Sequence, residues 1–339
     1  MQHELTGGDL LDAQGRLAEA GWARGEAKRY SRRAIRAPWY RIKEWDYYCV
    51  LGPDHGFACV VADNGYMGLL NAVWLDFAKP CAIEDGVILP FPRGRMKLPE
   101  SADTGDVAQH HPKIDIAFRH EPGGRRLSLD YPGFGKGKGL KVDIRLDQPA
   151  MDRMTIATPF AGAPTAFYYN QKINCMPASG GVTVGGERFP FEPSSAFGVL
   201  DWGRGVWTYD NVWYWGSASG LAEGKPFGFN IGYGFGDTSA ASENMIFFDG
   251  RAHKFDRVTF HIPEGTFDGA PWSFTSNDGR FEMTFEPIID RHSAVDLKLL
   301  RSVQHQVFGR FSGTAVLDDG RRIEVKDFLG FAEEVQNRW

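Results

Sequence analysis

Potential acid/base groups surround the most aromatic segment of the chain, residues 201–220, "DWGRGVWTYDNVWYWGSASG". Carboxyl groups in apolar surroundings have raised pKa values and can exchange protons near neutral pH, and aromatic faces stabilise developing positive charge. Arg and Tyr side chains in the same segment could polarise a substrate oxygen. This combination predicts general acid/base chemistry that needs no cofactor. The candidate catalytic residues are Asp201, Arg204, Tyr209, Asp237 and Glu243.

Side-chain alternation within residues 205–216 predicts a β-strand, because a helix would scatter these aromatic residues around its axis. One face of this strand would carry Trp207, Tyr209, Asn211, Trp213 and Trp215. Asp210 falls on the opposite face, which makes it a weaker acid/base candidate. The indoles could wall a ligand pocket or could fill a β-rich core, and barrel packing permits both interpretations.

A second strand is predicted at residues 227–236, "FGFNIGYGFG", in which large and small residues alternate. Its bulky face is Phe227, Phe229, Ile231, Tyr233 and Phe235, and its other face is Gly228, Asn230, Gly232, Gly234 and Gly236. Because this second face lacks side chains, something large must occupy the space above it. If residues 217–226 form a hairpin connection, the indoles would lie over the glycines. The candidate substrate-binding residues are therefore Trp207, Asn211, Trp213, Trp215, Asn230, Gly232 and Gly234.

Two other strand-like segments carry polar residues at alternate positions. "APWYRIKEWDYYCVLG" contributes Lys43, and "FYYNQKINCM" places Tyr168, Asn170 and Lys172 on one face. These four residues are further candidates for substrate binding, although ion pairing or solvent exposure would also explain them. A turn role is similarly an alternative for Asp237, which follows the glycine-rich strand.

Frequent Gly, Asp and Asn turn signals separate short segments rich in Val, Ile, Phe, Tyr and Trp throughout the chain. This pattern favours an antiparallel all-β sandwich or barrel, and segments with helical periodicity are scarce. The length of 339 residues suggests two domains or one very large one. We expect an N-terminal β domain at residues 1–197, with an arm at 1–38, and a C-terminal β domain at 198–339.

Composition and motif searches exclude several functional classes. The net charge of −5 argues against a nucleic-acid-binding protein. We expect no secretory leader, because "MQHELTGGDL" lacks a basic stretch followed by an apolar one, and we expect no membrane span, because no apolar run is long enough. Its four Cys show no regular spacing, which suggests reduced thiols in a cytoplasmic protein. The nine His are dispersed, and no nucleophile elbow or phosphate loop is present, so we predict neither a metal nor a cofactor.

Several blocks together resemble the bacterial family of domains of unknown function DUF2804. They are "HELTGGDLLDAQGRLAEAGWAR", "RIKEWDYY", "DWGRGVWTYDNVWYWGSASG", "FNIGYGFGDTSAASEN" and "LGFAEEVQNRW". More remotely, the two-part β pattern resembles the calycin architecture of carotenoid 1,2-hydratases and tocopherol cyclases. That resemblance implies two lipocalin-like antiparallel barrels or half-barrels packed together, with few short helices, a hydrophobic pocket and chemistry without an organic cofactor.

These observations leave three functional hypotheses. The first is a lyase, hydratase or isomerase that acts on a hydrophobic or aromatic small molecule in a pocket lined by Trp, Tyr and Gly. The second is a non-catalytic carrier or sensor of a lipid-like ligand. The third is a carbohydrate-active protein, because Trp faces stack on sugars and paired carboxylates cleave glycosides. A homodimer is a further possibility.

Overall fold

Strands form most of the regular structure in the computed structural model, which describes residues 2–339, and all of them pair antiparallel except β1 with β3. The first fifteen strands are β1 (Gly8–Asp9), β2 (Gly21–Ala23), β3 (Lys28–Arg29), β4 (Ile42–Leu51), β5 (His55–Asp63), β6 (Met67–Asp76), β7 (Cys81–Pro90), β8 (Val107–His111), β9 (Ile114–Glu121), β10 (Gly124–Tyr131), β11 (Leu140–Asp147), β12 (Met154–Phe160), β13 (Ala163–Val184), β14 (Glu187–Phe191) and β15 (Phe197–Val206). The other nine are β16 (Asp210–Ala222), β17 (Lys225–Tyr233), β18 (Met245–Phe248), β19 (Arg251–Lys254), β20 (Val258–His261), β21 (Trp272–Ser276), β22 (Phe281–Leu297), β23 (Leu300–Val316) and β24 (Arg322–Arg338).

Helical structure is limited to short segments. They are the four-residue helix α1 (Phe134–Gly137) and two 3-10 turns at Arg32–Ala34 and Trp39–Arg41. No helix among residues 2–339 is long and apolar enough to cross a membrane. The predicted all-β fold of two antiparallel half-barrels packed together, with few short helices, is confirmed.

The first sheet has thirteen strands and is built from two meanders. Its main path runs β7-β6-β5-β4-β15-β13-β11-β10-β9-β8, so β15 and β13 together join the meander of β4 to β7 to the meander of β8 to β11. Strands β12 and β14 both pair with β13, and β2 pairs with β12. The segment before β4 packs on this sheet through residues such as Leu10, Trp22 and Tyr30.

Strand β13 bends at a β-bulge between Ile173 and Met176. Cys175 in the bulge has a φ of 60°. Before the bulge the strand pairs with β12 and β15. After it the strand keeps β15 as a partner only as far as Pro177 and pairs with β11 and β14. Such a bulge bends a strand and redirects its side chains. The polar segment with Lys172 therefore lies at the bend, facing the second sheet.

The second sheet has nine strands, ordered β19-β18-β17-β16-β24-β23-β22-β21-β20, and it encloses its own core. Side chains of alternate residues point to opposite faces of a strand. In β24, Ala332 belongs to the second core, whereas Phe331 belongs to the core of the first sheet. In β23, Val307 and Phe308 divide in the same way. One face of these strands therefore fills the second core, and the other packs against the first sheet.

The chain passes from the first sheet to the second between Val206 and Asp210. The prediction of one strand through residues 205–216 is wrong, because the Trp207 N–H donates to Arg41 O at 3.0 Å rather than continuing a strand. Tyr209 consequently does not share a strand face with Trp213. The domain division at 197/198 stays a prediction, although β15 pairs with β4 and β13 within the first sheet.

The predicted pairing of the tryptophan-rich and glycine-rich strands is confirmed. Strands β16 and β17 are antiparallel, with Trp215 opposite Gly232. Most of the predicted connection at 217–226 is strand, because a tight turn at Glu223 and Gly224 joins the two. Phe235 lies beyond β17 and packs in the first core, since Gly234 at a φ of 95° redirects the chain.

Replacing Gly203 by Ala should destabilise the protein. A Cβ atom at this position of β15 would overlap the Trp45 indole. Trp45 cannot easily move, because it stacks on Tyr168 with 5.9 Å between ring centroids. We expect a loss of about 1–3 kcal/mol in the free energy of unfolding, measured by chemical denaturation. The control is Gly25→Ala, where no atom lies within 4 Å of the added carbon. Equal stability of both variants would contradict the packing described here.

Candidate active site

A cavity of about 190 Å³ lies between the two sheets. Strands β4, β5, β6, β13 and β15 line it from the first sheet, and β16, β22, β23 and β24 line it from the second. Its aromatic lining is Trp45, Tyr47, Tyr168, Trp207, Trp213, Trp215, Phe235 and Trp339. Its polar lining is Asn64, Asn71, Lys172, Asp201, Arg291, Gln304, Gln306 and Glu333.

The aromatic part of the lining is organised around Trp207. The Trp207 ring centroid lies 5.1 Å from that of Tyr168, 5.3 Å from that of Trp213 and 5.9 Å from that of Trp45. These tilted and edge-to-face geometries are favourable for aromatic pairs. The indole faces exposed to the cavity can stabilise positive charge on a ligand.

Lys172 and Asp201 form a buried ion pair in the cavity wall, with 2.9 Å between Nζ and Oδ1. Their side chains meet because the two residues are direct register partners in β13 and β15. The Lys172 ammonium also lies 3.9 Å from the Trp215 ring centroid. The Asn170 amide donates to Asp201 Oδ1 at 2.6 Å. Lys172 and Asp201 therefore present a fixed, paired charge to the cavity.

Glu333 is a buried carboxyl in the opposite wall. Trp213 Nε1 donates to its Oε1 at 3.0 Å, and the amides of Gln304 and Gln306 donate to its Oε2 at 3.3 and 3.2 Å. Burial raises the pKa of Glu333 to about 7, although the hydrogen bond from Trp213 and the charge of Lys172 act in the opposite direction. Glu333 can therefore both donate and accept a proton near neutral pH.

Arg291 connects the second sheet to the edge of the first on another side of the cavity. Its guanidinium donates to both Glu84 oxygens, from Nε at 2.8 Å and from Nη2 at 2.6 Å. Its Nη1 donates to Gln306 Oε1 at 2.8 Å. Since Glu84 pairs with Arg291, the cavity contains no cation without a carboxylate partner among the described residues.

Glu243 is a second buried carboxyl with a pKa raised to about 7 by burial, but it lies outside the cavity lining. Asn230 separates it from the cavity, because this amide accepts from Trp215 Nε1 at 2.7 Å and donates to Glu243 O at 3.0 Å. The Tyr168 hydroxyl and Glu243 Oε1 have no hydrogen-bond partner among the described residues. Burial, together with the charge of Glu243, raises the pKa of Tyr168 well above its usual value.

The structure brings together most of the residues predicted for the site. Six of them line the cavity directly: Tyr168, Lys172, Asp201, Trp207, Trp213 and Trp215. Asn170, Asn230 and Glu243 lie behind that lining and bond to it or to its neighbours. Lys43 is buried at the margin, with its Nζ 4.8 Å from the ring centroid of Trp339.

Four predicted residues lie elsewhere. The Tyr209 side chain is exposed and its hydroxyl donates to Leu299 O. Arg204 points to the other face of β15, where it pairs with Asp46 at 2.8 Å. Asp237 is exposed and accepts from the Ser239 N–H, which lowers its pKa, so its role is that of a turn residue. The Asn211 amide donates to Thr208 O within the connection between the sheets.

The glycine face of β17 is filled by protein. A Cβ atom at Gly228 would meet Cys175 Sγ at 2.6 Å, and one at Gly232 would meet Phe235 at 3.1 Å and Glu243 at 3.2 Å. The Gly232 N–H donates to Asn244 Oδ1, and Gly234 forms the turn that follows. The glycines therefore make room for neighbouring side chains of the protein. The space open to a ligand is the cavity on the other side of the indoles.

Sequence reasoning missed Glu333, Arg291, Gln306 and Trp339. A signal for Glu333 was present, because alternation in the ending "LGFAEEVQNRW" places Glu333 on the same strand face as Phe331 and Val335. The same alternation extends to Trp339, and no comparable local signal marks Arg291 or Gln306. No group of three or more His, Cys, Asp or Glu residues within 2–339 is arranged to hold a metal ion.

Comparisons with known proteins agree with this architecture. The model of the family described as a domain of unknown function (DUF2804) matches residues 2–339. No curated protein matches the sequence. A candidate AttH protein from Nitrosomonas europaea has 15% identity, a TM-score of 0.53, and an alignment over 87% of this chain and 92% of its own. At this identity the likeness concerns the fold alone.

Two further solved structures have lower structural similarity. Kievitone hydratase from Nectria haematococca has 10% identity over 88% of each chain, with a TM-score of 0.47. CghA has 10% identity over 98% of this chain and 97% of its own, with a TM-score of 0.46.

The buried carboxyl of Glu243 should make stability depend on pH. Its pKa is about 7 in the folded protein, against an ordinary value of 4.5, so the folded state binds more protons between these values. Its stabilising contribution is complete below about pH 4.5 and is lost as pH rises through about 7. The free energy of unfolding of Glu243→Gln, minus that of the wild type, should rise by roughly 1–3 kcal/mol when the pH is raised from 4.5 to 8. Denaturation curves at both pH values measure this, with the exposed Glu324→Gln as the control. A constant difference across this range would refute the assignment.

Proposed function

The chain belongs to the DUF2804 family, and from the chemistry of its cavity we propose that it is a cofactor-independent enzyme of the lyase, hydratase or isomerase type. Its substrate would be a small hydrophobic or aromatic molecule. The observation that carries this proposal is the carboxyl of Glu333, which has a pKa of about 7 inside a cavity walled by tryptophans.

Glu333 is the proposed acid/base group because it combines access with a suitable pKa. A general acid or base works best when its pKa lies near the working pH. Hydrogen bonds from Trp213, Gln304 and Gln306 fix the orientation of the carboxyl. When Glu333 adds a proton to the substrate, the indole faces stabilise the positive charge that develops. When the Glu333 carboxylate instead removes a proton, the ammonium of Lys172 stabilises the negative charge left on the substrate.

Lys172 is the proposed group that orients a substrate oxygen. An ammonium has three N–H donors, and within the described part of the chain its only hydrogen-bonding contact is with Asp201. A remaining N–H can donate to a hydroxyl or carbonyl oxygen of the substrate. Asp201 holds this ammonium in place through the 2.9 Å contact, so it acts as a positioning residue.

The cavity also limits the size and charge of the substrate. Its volume of about 190 Å³ slightly exceeds the roughly 150 Å³ of a protein cavity that holds benzene. The enclosed part of the substrate is therefore about the size of one ring. Lys172 and Arg291 are both paired with carboxylates, which favours a neutral substrate over an anionic one. We propose a one-ring molecule with an oxygen function.

We also propose that the protein works in the cytoplasm. Its four cysteines are all free thiols in the structure, and Cys81 is exposed. Exposed free thiols are typical of a reducing compartment. Fractionation of the native host, followed by detection with an antibody, tests this location directly.

Ligand screening would identify the substrate class. A compound that binds the folded state raises the apparent melting temperature. Panels of one-ring phenols and enones, fatty acyl compounds, long terpenoids and sugars should be screened by thermal shift. We expect stabilisation by the one-ring panel. Stabilisation by sugars alone would instead support a carbohydrate-active protein.

Substitution of Glu333 by Gln should abolish turnover and preserve binding. Compounds that stabilise the protein are incubated with it, and conversion is followed by mass spectrometry and by NMR, which also detects isomerisation. Loss of a general acid or base should reduce kcat by roughly 10²–10⁴-fold. The matched control is Glu334→Gln, the next residue of β24, whose side chain points to the other face of the sheet. Binding without conversion by the wild type would indicate a carrier, and full activity of Glu333→Gln would refute the role of this residue.

A further inference from the structure

Exposed aromatic rings and arginines form a continuous surface patch beside the cavity. The members of this aromatic–arginine patch are Trp39, Tyr40, Arg41, Phe91, Arg93 and Tyr209. Trp39, Tyr40, Phe91 and Tyr209 are between 37% and 52% exposed. Large aromatic side chains exposed together at one place commonly mark an interaction surface.

Each member of the patch contacts at least one other member. The Trp39 ring centroid lies 5.7 Å from that of Tyr40 and 6.4 Å from that of Phe91. The Arg93 guanidinium lies 4.1 Å from the centre of the Trp39 ring. On the other side, the Arg41 guanidinium lies 5.8 Å from the Tyr40 ring and 5.5 Å from the Tyr209 ring. The patch is therefore one surface rather than a set of isolated side chains.

The positive charge of Arg93 has no carboxylate partner among the described residues. The neighbouring Arg95 likewise forms no ion pair there and donates only to the main-chain oxygens of Phe91 and Pro92. Arg41 differs, because its Nη1 donates to Trp339 O at 3.2 Å. The whole chain nevertheless carries a net charge of −5. Unpaired arginines beside exposed Trp and Tyr rings fit a surface that is both anionic and apolar, which is the character of an anionic lipid bilayer.

The backbone holds the patch in an outward-facing arrangement at some cost. Phe91 and Arg93 have φ values of 49° and 53°, in the left-handed region that L-residues rarely adopt. Such strain persists only where the surrounding structure fixes it, and it is frequent at functional sites. Here the Phe91 N–H donates to Tyr66 O at 3.0 Å and the Arg93 N–H donates to Gly65 O at 3.2 Å. The buried carboxylate of Asp63 ties the same two turns together, because it accepts from the Gly65 N–H at 2.9 Å and the Gly94 N–H at 2.6 Å.

Lys43 fixes the other half of the patch. Its buried ammonium donates to Tyr40 O at 3.1 Å and to Asn64 O at 3.2 Å. The turn that carries Trp39 and Tyr40 is therefore attached to the β5–β6 turn. Lys43 was expected to bind substrate, but its visible contacts serve to hold this surface together.

The patch borders the cavity through Trp339, which lines the cavity. Arg41 Nη1 donates to Trp339 O at 3.2 Å, and the Trp339 N–H donates to Tyr209 O at 2.8 Å. We propose that the aromatic–arginine patch docks the protein on anionic membrane surfaces. The rings would enter the headgroup region, the arginines would contact lipid phosphates, and the cavity would lie next to the bilayer.

Vesicle flotation tests this docking. The full-length protein is mixed with vesicles of phosphatidylcholine alone or of phosphatidylcholine with phosphatidylglycerol. We expect the protein to bind the anionic vesicles and to bind them less tightly when salt is added. We expect its binding to vesicles of phosphatidylcholine alone to be weaker. Arg93→Glu should weaken binding by at least roughly fivefold. The combined change Trp39→Ser and Phe91→Ser should weaken it by roughly tenfold or more. Matched controls are Arg251→Glu and Leu221→Ser, exposed residues outside the patch.

Each outcome decides for or against docking. Unchanged melting temperatures of the variants would show that they fold. Absence of vesicle binding, equal binding to neutral vesicles, or loss of binding only in the controls would overturn the proposal. It would also be overturned if Trp39→Ser with Phe91→Ser converted a dimer to a monomer in analytical ultracentrifugation without affecting vesicle binding. Glu333→Gln should bind vesicles like the wild type, so this result is independent of the proposed enzymatic function.

Discussion

The central strands of the second sheet must bury both of their faces, and the rest of the site depends on this constraint. One face of β16, β23 and β24 fills the second core, and the other packs on the first sheet. A purely apolar outer face would satisfy packing, but this face also carries Gln306 and Glu333. Buried polar groups are costly without hydrogen bonds. Both sheets accordingly contribute polar partners around the cavity.

Glycine is used differently on the two sheets that enclose the cavity. In β15, Gly203 leaves space for the Trp45 indole to lie against the backbone, which keeps the ring in the cavity wall. In β17, Gly228 leaves space for Cys175, which belongs to the bulge of β13. The first arrangement shapes the wall of the cavity, whereas the second lets the two sheets approach closely. Both need a missing side chain, and only the structure distinguishes them.

Side-chain alternation predicted the local parts of the site and failed where the chain changes sheets. It correctly placed Trp213 and Trp215 on one face, because they lie within the single strand β16. It failed for Tyr209, because the strand break there depends on hydrogen bonds to Arg41 and Trp339, which are distant in sequence. Alternation could also have separated Asp201 from Arg204, since an odd spacing within one strand directs them to opposite faces.

The remainder of the site could not be predicted because it depends on pairing between distant segments. Trp213 and Glu333 are 120 residues apart, and only the sheet order places β16 beside β24. The Arg291 to Glu84 pair joins residues that are 207 positions apart and belong to different sheets. The sequence reveals which residue types are available, but it does not reveal which of them meet. Fold class follows from local patterns, whereas a site at the interface of two sheets does not.

Two carboxyls with similar pKa values show why burial alone does not identify a catalytic group. Burial raises the pKa of both Glu243 and Glu333 to about 7. Glu243 does not line the cavity and lies behind Asn230, which is hydrogen-bonded to Trp215 and to Glu243 O. Glu333 lines the cavity and has hydrogen-bond partners at both oxygens. A raised pKa shows that a proton can be exchanged near neutral pH, and access decides which of the two groups can exchange it with a substrate.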